Sequence, residues 1–87
     1  MPDFQTIERE IGELLRLSEE HLTNAERAEV QHFVNVGEYG LAVQTFSDIV
    51  VEGRKHVSSA VFSKCMELGR EMDMQPEVWE KLRQFVR

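Results

Sequence analysis

The chain has 87 residues, with 16 acidic and 10 basic side chains and a formal net charge of −6 at pH 7. Typical domains run to about 100–150 residues, so we expect one small domain over residues 1–87, with little room for a deep active-site cavity. The single cysteine excludes an internal disulfide. The negative charge excludes nucleic acid as a favoured direct ligand, because phosphates are neutralised by Lys and Arg.

The first predicted helix begins after Asp3, whose short carboxylate is a good N-cap. Its pattern fades near residues 20–22. Spacings of three and four residues place its apolar side chains on one face. That face consists of Phe4, Ile7, Ile11, Leu14 and Leu15.

The second predicted helix begins at a capping box. Thr23 and Glu26 have the spacing at which each side chain accepts a hydrogen bond from the other residue's backbone N–H. The helix runs to about Val36, and Gly37 follows as its stop, because glycine tolerates the left-handed conformation there.

The third predicted helix, residues 38–52, separates an apolar face from an acidic one. At about 100° per residue, the carboxylates of Glu38, Asp48 and Glu52 fall within about 80° of one another, opposite the apolar side chains. We therefore expect them to form one exposed stripe. The expected buried face consists of Tyr39, Ala42, Phe46 and Val50.

The remainder of the chain predicts two more helices. Ser58 or Ser59 caps the fourth helix, and Pro76 suits the first position of the last, where its missing N–H is not needed. Strand patterns are nearly absent, apart from a brief extended stretch at residues 57–58. The predicted fold is an all-α, small bundle of four to five short antiparallel helices, each of about 10–17 residues.

The residues that usually carry catalysis or bind cofactors lack partners in this sequence. Glu29 and His32 form a single Glu-x-x-His unit, whereas a di-iron site needs a second copy and two further carboxylates. Cys65 lies among apolar positions with no neighbouring base. We therefore expect no cofactor, no metal and no enzymatic activity. An enzyme with a metal or thiol site remains the least favoured alternative.

The location and charge of the chain bear on its partners. Its first residues lack the basic and apolar segments of a secretory signal, and no apolar run approaches the roughly 20 residues that cross a bilayer, so we expect a cytoplasmic protein without membrane contact. Residues 1–52 hold 11 acidic and 3 basic residues, a net of −8, whereas residues 53–87 hold 5 and 7, a net of +2. This asymmetry suits a basic partner, although acidic helices are often only solvated surface.

Several motifs follow one another in a fixed order between about residues 30 and 82. They are Gly37-Glu38-Tyr39-Gly40-Leu41-Ala42, then Asp48, then Leu68-Gly69-Arg70-Glu71-Met72 and Pro76-Glu77-Val78-Trp79. This order resembles the MafI-type immunity proteins of bacterial polymorphic-toxin and contact-dependent growth inhibition systems. The resemblance implies a small antitoxin that binds one cognate toxin domain, commonly a nuclease with a basic surface.

Charge geometry, rather than the resemblance, supplies the candidate binding residues. The stripe of Glu38, Asp48 and Glu52, extended by Glu13 and Glu20 of the first helix, is expected to face basic toxin residues in a 1:1 complex. Tyr39 or Phe33 is a candidate aromatic anchor, with a core position as the alternative for Tyr39. The competing interpretation is an acidic helical adaptor or regulatory subunit that binds another protein unrelated to toxins.

Overall fold

A computed structural model describes residues 3–87, and this part of the chain is all-α. Its elements are connected by short turns, and the predicted fold class is confirmed. The helices are α1 (Phe4–Leu17), α2 (Asn24–Asn35), α3 (Tyr39–Glu52), α4 (Ser59–Glu71) and α5 (Glu77–Glu80), followed by a 3₁₀ turn at Arg83–Phe85.

Local hydrogen bonds fix the starts of α1, α2 and α4 and the end of α2 at the predicted residues, whereas α1 ends at Leu17, before the predicted residues 20–22. The Asp3 carboxylate accepts from the backbone N–H groups of Gln5 and Thr6 at the start of α1. The reciprocal bonds of the Thr23–Glu26 capping box are both present at the start of α2, and the Ser58 hydroxyl accepts from a backbone N–H at the start of α4. Gly37 has a φ of +77°, which explains why glycine ends α2.

Helix α3 lies at the centre of the bundle and contacts each of the other four helices. Phe46, near its middle, is fully buried, and burying a side chain of this size contributes about 1.5–3 kcal/mol to folding. The apolar faces predicted for α1 and α4 pack against it. The largest fully buried side chains are Phe46, Ile7, Ile11, Leu14, Leu68 and Leu82.

The C-terminal segment differs from its prediction. Helix α5 has four residues instead of 10–17, and Pro76 is its N-cap rather than its first residue. The chain leaves the helical path because it turns back to pair with the α3–α4 connection. The N–H of Val57 donates to the Phe85 carbonyl at 3.0 Å, and the N–H of Arg87 donates to the Val57 carbonyl at 2.9 Å. The brief extension predicted at Val57 is thus confirmed as one half of an isolated parallel bridge with Val86.

The last segment packs onto α4 through an aromatic ring laid over a glycine. A Cβ placed on Gly69 would be 2.3 Å from both Cε3 and Cζ3 of Trp79, whose side chain is buried. Only a residue without a side chain permits this approach. Gly69, although it lies within a helix, is therefore required by packing.

Candidate partner-binding surface

Helix α3 and its N-cap carry four of the predicted binding residues: Glu38, Tyr39, Asp48 and Glu52. Glu38 is the N-cap of α3, but its side chain makes no capping hydrogen bond, and Glu52 is the last residue of the helix. A helix rises about 1.5 Å per residue, so the two backbones are about 21 Å apart along the axis. The two carboxylates therefore mark opposite ends of one helix.

Glu38 and Glu52 are both exposed, and neither forms an ion pair within residues 3–87. Glu52 also stands at the negative end of the helix dipole, where a carboxylate costs about 0.3–1 kcal/mol. The last turn of α3 contains no basic residue to offset this cost. Within the described part of the fold, no ion pair offsets the cost of the Glu52 carboxylate.

Asp48 does not belong to the exposed stripe as predicted, because it is half-buried against α5. Lys81 Nζ lies 2.7 Å from Asp48 Oδ1, and the Gln44 side-chain amide donates to the same oxygen at 3.2 Å. The sequence placed Asp48 opposite the apolar face of α3, but α5 packs on that side. Asp48 therefore joins α5 to α3, and the exposed acidic stripe reduces to Glu38 and Glu52.

Tyr39 lies at the edge of the core rather than inside it. Its side chain is half-buried, and its hydroxyl donates to Glu8 Oε2 at 2.6 Å. Its ring stacks on Phe4, with centroids 5.6 Å apart and planes 24° from parallel. The hydrogen bond to Glu8, followed by burial, raises the pKa of Tyr39 above its ordinary value of 10.0. Of the two positions considered for Tyr39, the structure shows an intermediate one: the ring packs against the core and the hydroxyl lies at the surface.

The sequence prediction missed Phe4 and Glu8 as surface features. Phe4 was assigned to the buried face, but 57% of it is exposed. The available signal was the four-residue spacing of Phe4 and Glu8, which places both side chains on one side of α1. Nothing in the sequence pattern indicated that the first turn of α1 would meet the first turn of α3.

Two aliphatic side chains are exposed on either side of the start of α3. Val36, at the C-cap of α2, is 57% exposed, and Leu41, in the first turn of α3, is 48% exposed. By helical angle Leu41 falls between Asp48 and Glu52, within about 20° of each around the axis. An apolar side chain therefore shares the side of α3 that carries Glu52.

Glu13 and Glu20, the two acidic residues expected to extend the stripe, do not lie beside α3 on one face of α1. Glu13 accepts hydrogen bonds from Arg16, which lower the pKa of Glu13. It lies about 140° around α1 from Glu8, which accepts a hydrogen bond from Tyr39 of α3. Glu20 is exposed in the turn that follows α1, outside the helix to which it was assigned. The structure therefore does not bring Glu13 to the α3 side.

The surroundings of Cys65 and His32, the two groups considered for catalysis or metal binding, are those of a core residue and of a surface residue packed on a ring. Cys65 is buried in the core, and this burial raises the pKa of its thiol to about 12. A thiol protonated at neutral pH is a poor nucleophile. His32 packs edge-on against Phe33, with ring centroids 5.4 Å apart. In residues 3–87 no group of three His, Cys, Asp or Glu side chains is arranged to hold a metal ion.

Comparisons with protein-family models, curated proteins and solved structures found no match to this chain. None of the helices in residues 3–87 combines the length and the apolar character needed to cross a bilayer. The candidate surface consists of the exposed carboxylates of Glu38 and Glu52, the aliphatic side chains beside them, and the stacked pair of Phe4 and Tyr39.

Proposed function

We propose that the chain is an immunity protein, an antitoxin that binds and neutralises a cognate bacterial toxin domain through the acidic surface of α3. The proposal joins the resemblance to MafI-type immunity proteins with the exposed carboxylates of Glu38 and Glu52. The observation that carries it is that both carboxylates are exposed and neither forms an ion pair within residues 3–87. In this proposal the protein acts in the cytoplasm, as a monomer in a 1:1 complex.

The distribution of ion pairs supports a basic partner. Each of the three lysines of the chain pairs internally with an acidic residue of the first 52: Lys55 with Glu26, Lys64 with Glu10 and Lys81 with Asp48. Arg16 and Arg27 pair with Glu13 and Glu19. Of the 11 acidic residues in this region, five are thus paired and six form no ion pair within residues 3–87. The six are Asp3, Glu8, Glu20, Glu29, Glu38 and Glu52.

Such a surface suits the kinetics that neutralisation requires. Complementary charge raises the association rate and orients the partners, whereas contacts that become buried set the dissociation rate. A nuclease is basic where it binds the phosphates of its substrate, so an acidic protein can occupy that surface. Glu38 and Glu52 supply the charge, and the exposed side chains of Val36 and Leu41 supply apolar area beside them.

The test is a charge reversal at the two exposed positions, Glu38→Lys with Glu52→Lys. The partner to be tested is the product of the neighbouring reading frame, assayed first for growth inhibition, and the readouts are cell protection and complex formation. We expect the double variant to fold normally but to lose at least about tenfold in affinity, because attraction becomes repulsion at two points. Asp48 is left unchanged because it holds α5.

The matched control reverses two exposed acidic residues of α4, Glu67→Lys with Glu71→Lys. Both lie outside the ion pairs of the described structure, and Glu71 ends α4 as Glu52 ends α3. We expect the control to protect like the unmodified chain. Full protection by the folded Glu38/Glu52 variant would contradict the assignment. A neighbouring frame without growth-inhibiting activity would favour the adaptor interpretation instead.

A further inference from the structure

Three side chains join the start of α1 to the start of α3 at the surface. We call Phe4, Glu8 and Tyr39 together the aromatic patch. The Tyr39 hydroxyl donates a hydrogen bond to Glu8 Oε2 at 2.6 Å, and the rings of Phe4 and Tyr39 stack with centroids 5.6 Å apart. Glu8 is exposed, and Phe4 is 57% exposed. The patch therefore presents a carboxylate beside an accessible aromatic ring, and both are fixed by Tyr39.

The charges around the aromatic patch are mostly negative. Asp3 precedes Phe4 in the chain and Glu38 precedes Tyr39, and neither forms an ion pair within residues 3–87. The one base nearby in sequence is Arg9; hydrogen bonds from Thr6 chiefly lower the pKa of Asp3, and the charge of Arg9 adds to this. Two carboxylates thus flank the patch in sequence and a third, Glu8, belongs to it, against one guanidinium. A partner group that binds here needs positive charge together with a face that packs on an aromatic ring.

We propose that the aromatic patch binds an arginine side chain of a basic protein partner, with the guanidinium paired to Glu8 and its plane against the ring of Phe4. The guanidinium combines a planar face with a fork of N–H donors, so one group can satisfy both the ring and the carboxylate. Lysine offers only a compact charge without a face that stacks. This inference rests on the proposed function for the identity of the partner, and it adds the side chain that the partner contributes.

Tyr39 is a positioning residue in this arrangement. Its hydroxyl bonds to Oε2 of Glu8, which leaves Oε1 available to an incoming donor. Because the carboxylate is already held, less side-chain entropy is lost when a guanidinium pairs with it. The ring of Tyr39 likewise stacks on one face of the Phe4 ring, which limits the orientations of Phe4.

The test uses the isotope-labelled chain and two short peptides, acetyl-Gly-Arg-Gly-Arg-amide and its lysine counterpart, followed by NMR at low salt. We expect the arginine peptide to shift the resonances of Phe4, Glu8 and Tyr39 and to bind about two- to fivefold more tightly than the lysine peptide. Phe4→Ala and Glu8→Gln are each expected to remove this preference. Tyr39→Phe, which keeps the ring but not the hydroxyl, is expected to reduce it.

The matched control is Leu17→Ala with Glu20→Gln. It removes an exposed apolar side chain and an exposed carboxylate near the other end of α1, about 20 Å from Phe4 along the axis. This control is expected to retain the preference for arginine. Equal binding of the two peptides, shifts spread over all acidic surfaces, or a preference that survives Phe4→Ala and Glu8→Gln would overturn the inference.

The peptide test does not depend on a toxin, so the two proposals can fail separately. If the chain protects against the toxin but the peptides do not distinguish Phe4 and Glu8, the arginine site is wrong and the proposed function stands. If the arginine preference maps to the aromatic patch but the chain protects against no toxin, the immunity function is wrong and the arginine site stands.

Discussion

The contact between Gly69 and Trp79 makes a sharp prediction about the sign of a substitution. Gly69 lies inside α4, and replacing a glycine in a helix interior with alanine ordinarily stabilises a protein by about 1 kcal/mol. Here the new Cβ would be 2.3 Å from two ring carbons of Trp79. Carbon atoms in contact prefer about 3.5–4.0 Å, so the overlap exceeds about 1 Å. Gly69→Ala is therefore expected to destabilise the protein.

The size of the effect follows from the surroundings of the ring. Trp79 is only 4% exposed, so it cannot move outward without losing buried area. Overpacking a core costs about 1–3 kcal/mol, and a rigid buried ring places this case at the upper end of that range. After subtraction of the gain in helix propensity, we expect Gly69→Ala to lower the free energy of unfolding by about 2 kcal/mol.

The assay is urea denaturation followed by circular dichroism, with the fluorescence of Trp79, the single tryptophan, as a local reporter. Gly12→Ala is the matched control, because Gly12 also lies inside a helix but a Cβ there would meet no atom within 4 Å. We expect Gly12→Ala to raise the free energy of unfolding by about 1 kcal/mol. A Gly69→Ala variant as stable as Gly12→Ala, with unchanged fluorescence, would refute the packing argument.

Two further predictions concern charged groups. A double-mutant cycle of Asp48→Asn and Lys81→Met, measured by urea denaturation, is expected to give a coupling free energy of about 0.2–1 kcal/mol, because the pair is half-exposed. A coupling of zero would show that Asp48 does not hold α5. Folding lowers the pKa of Glu26 below the ordinary 4.5, chiefly through its hydrogen bond with the Thr23 backbone N–H. It lowers the pKa of Glu80 chiefly through the hydrogen bonds from Arg83. Their stabilising effect is complete above about pH 4.5 and is lost as the pH falls through the lowered folded-state values. Thermal unfolding measured from pH 6 to 3 should show this decline, which Glu26→Gln should reduce; an unchanged decline in that variant would contradict the contribution assigned to Glu26.

The sequence predicted most accurately the features that depend on near neighbours in the chain. The N-caps at Asp3 and Thr23 and the stop at Gly37 each involve residues within four positions, so their hydrogen bonds follow from spacing alone. The helical faces of α1 and α4 were likewise predictable, because periodicity encodes which side chains share a face. Phe4 is the exception, since it lies on the predicted apolar face of α1 but 57% of it is exposed.

The features that depend on tertiary placement were not predictable. The helical angle of Asp48 put it opposite the apolar face of α3, but only the path of the chain after Pro76 places Lys81 beside it. The same path shortens α5, because Phe85 and Arg87 form backbone hydrogen bonds with Val57 instead of continuing a helix. Gly12 and Gly69 look alike in the sequence, and only the position of Trp79 distinguishes them.

If the proposed function is right, the exposed carboxylates of Glu38 and Glu52 speed the association with a basic toxin domain. The measurement that tests this is the association rate constant between the chain and the product of the neighbouring reading frame, at low and at high salt, for the unmodified protein and for Glu38→Gln with Glu52→Gln. We expect fast association that slows steeply with salt, and a double variant that associates slowly with a weaker dependence on salt. Equal rates and equal salt dependence in the two proteins would contradict it.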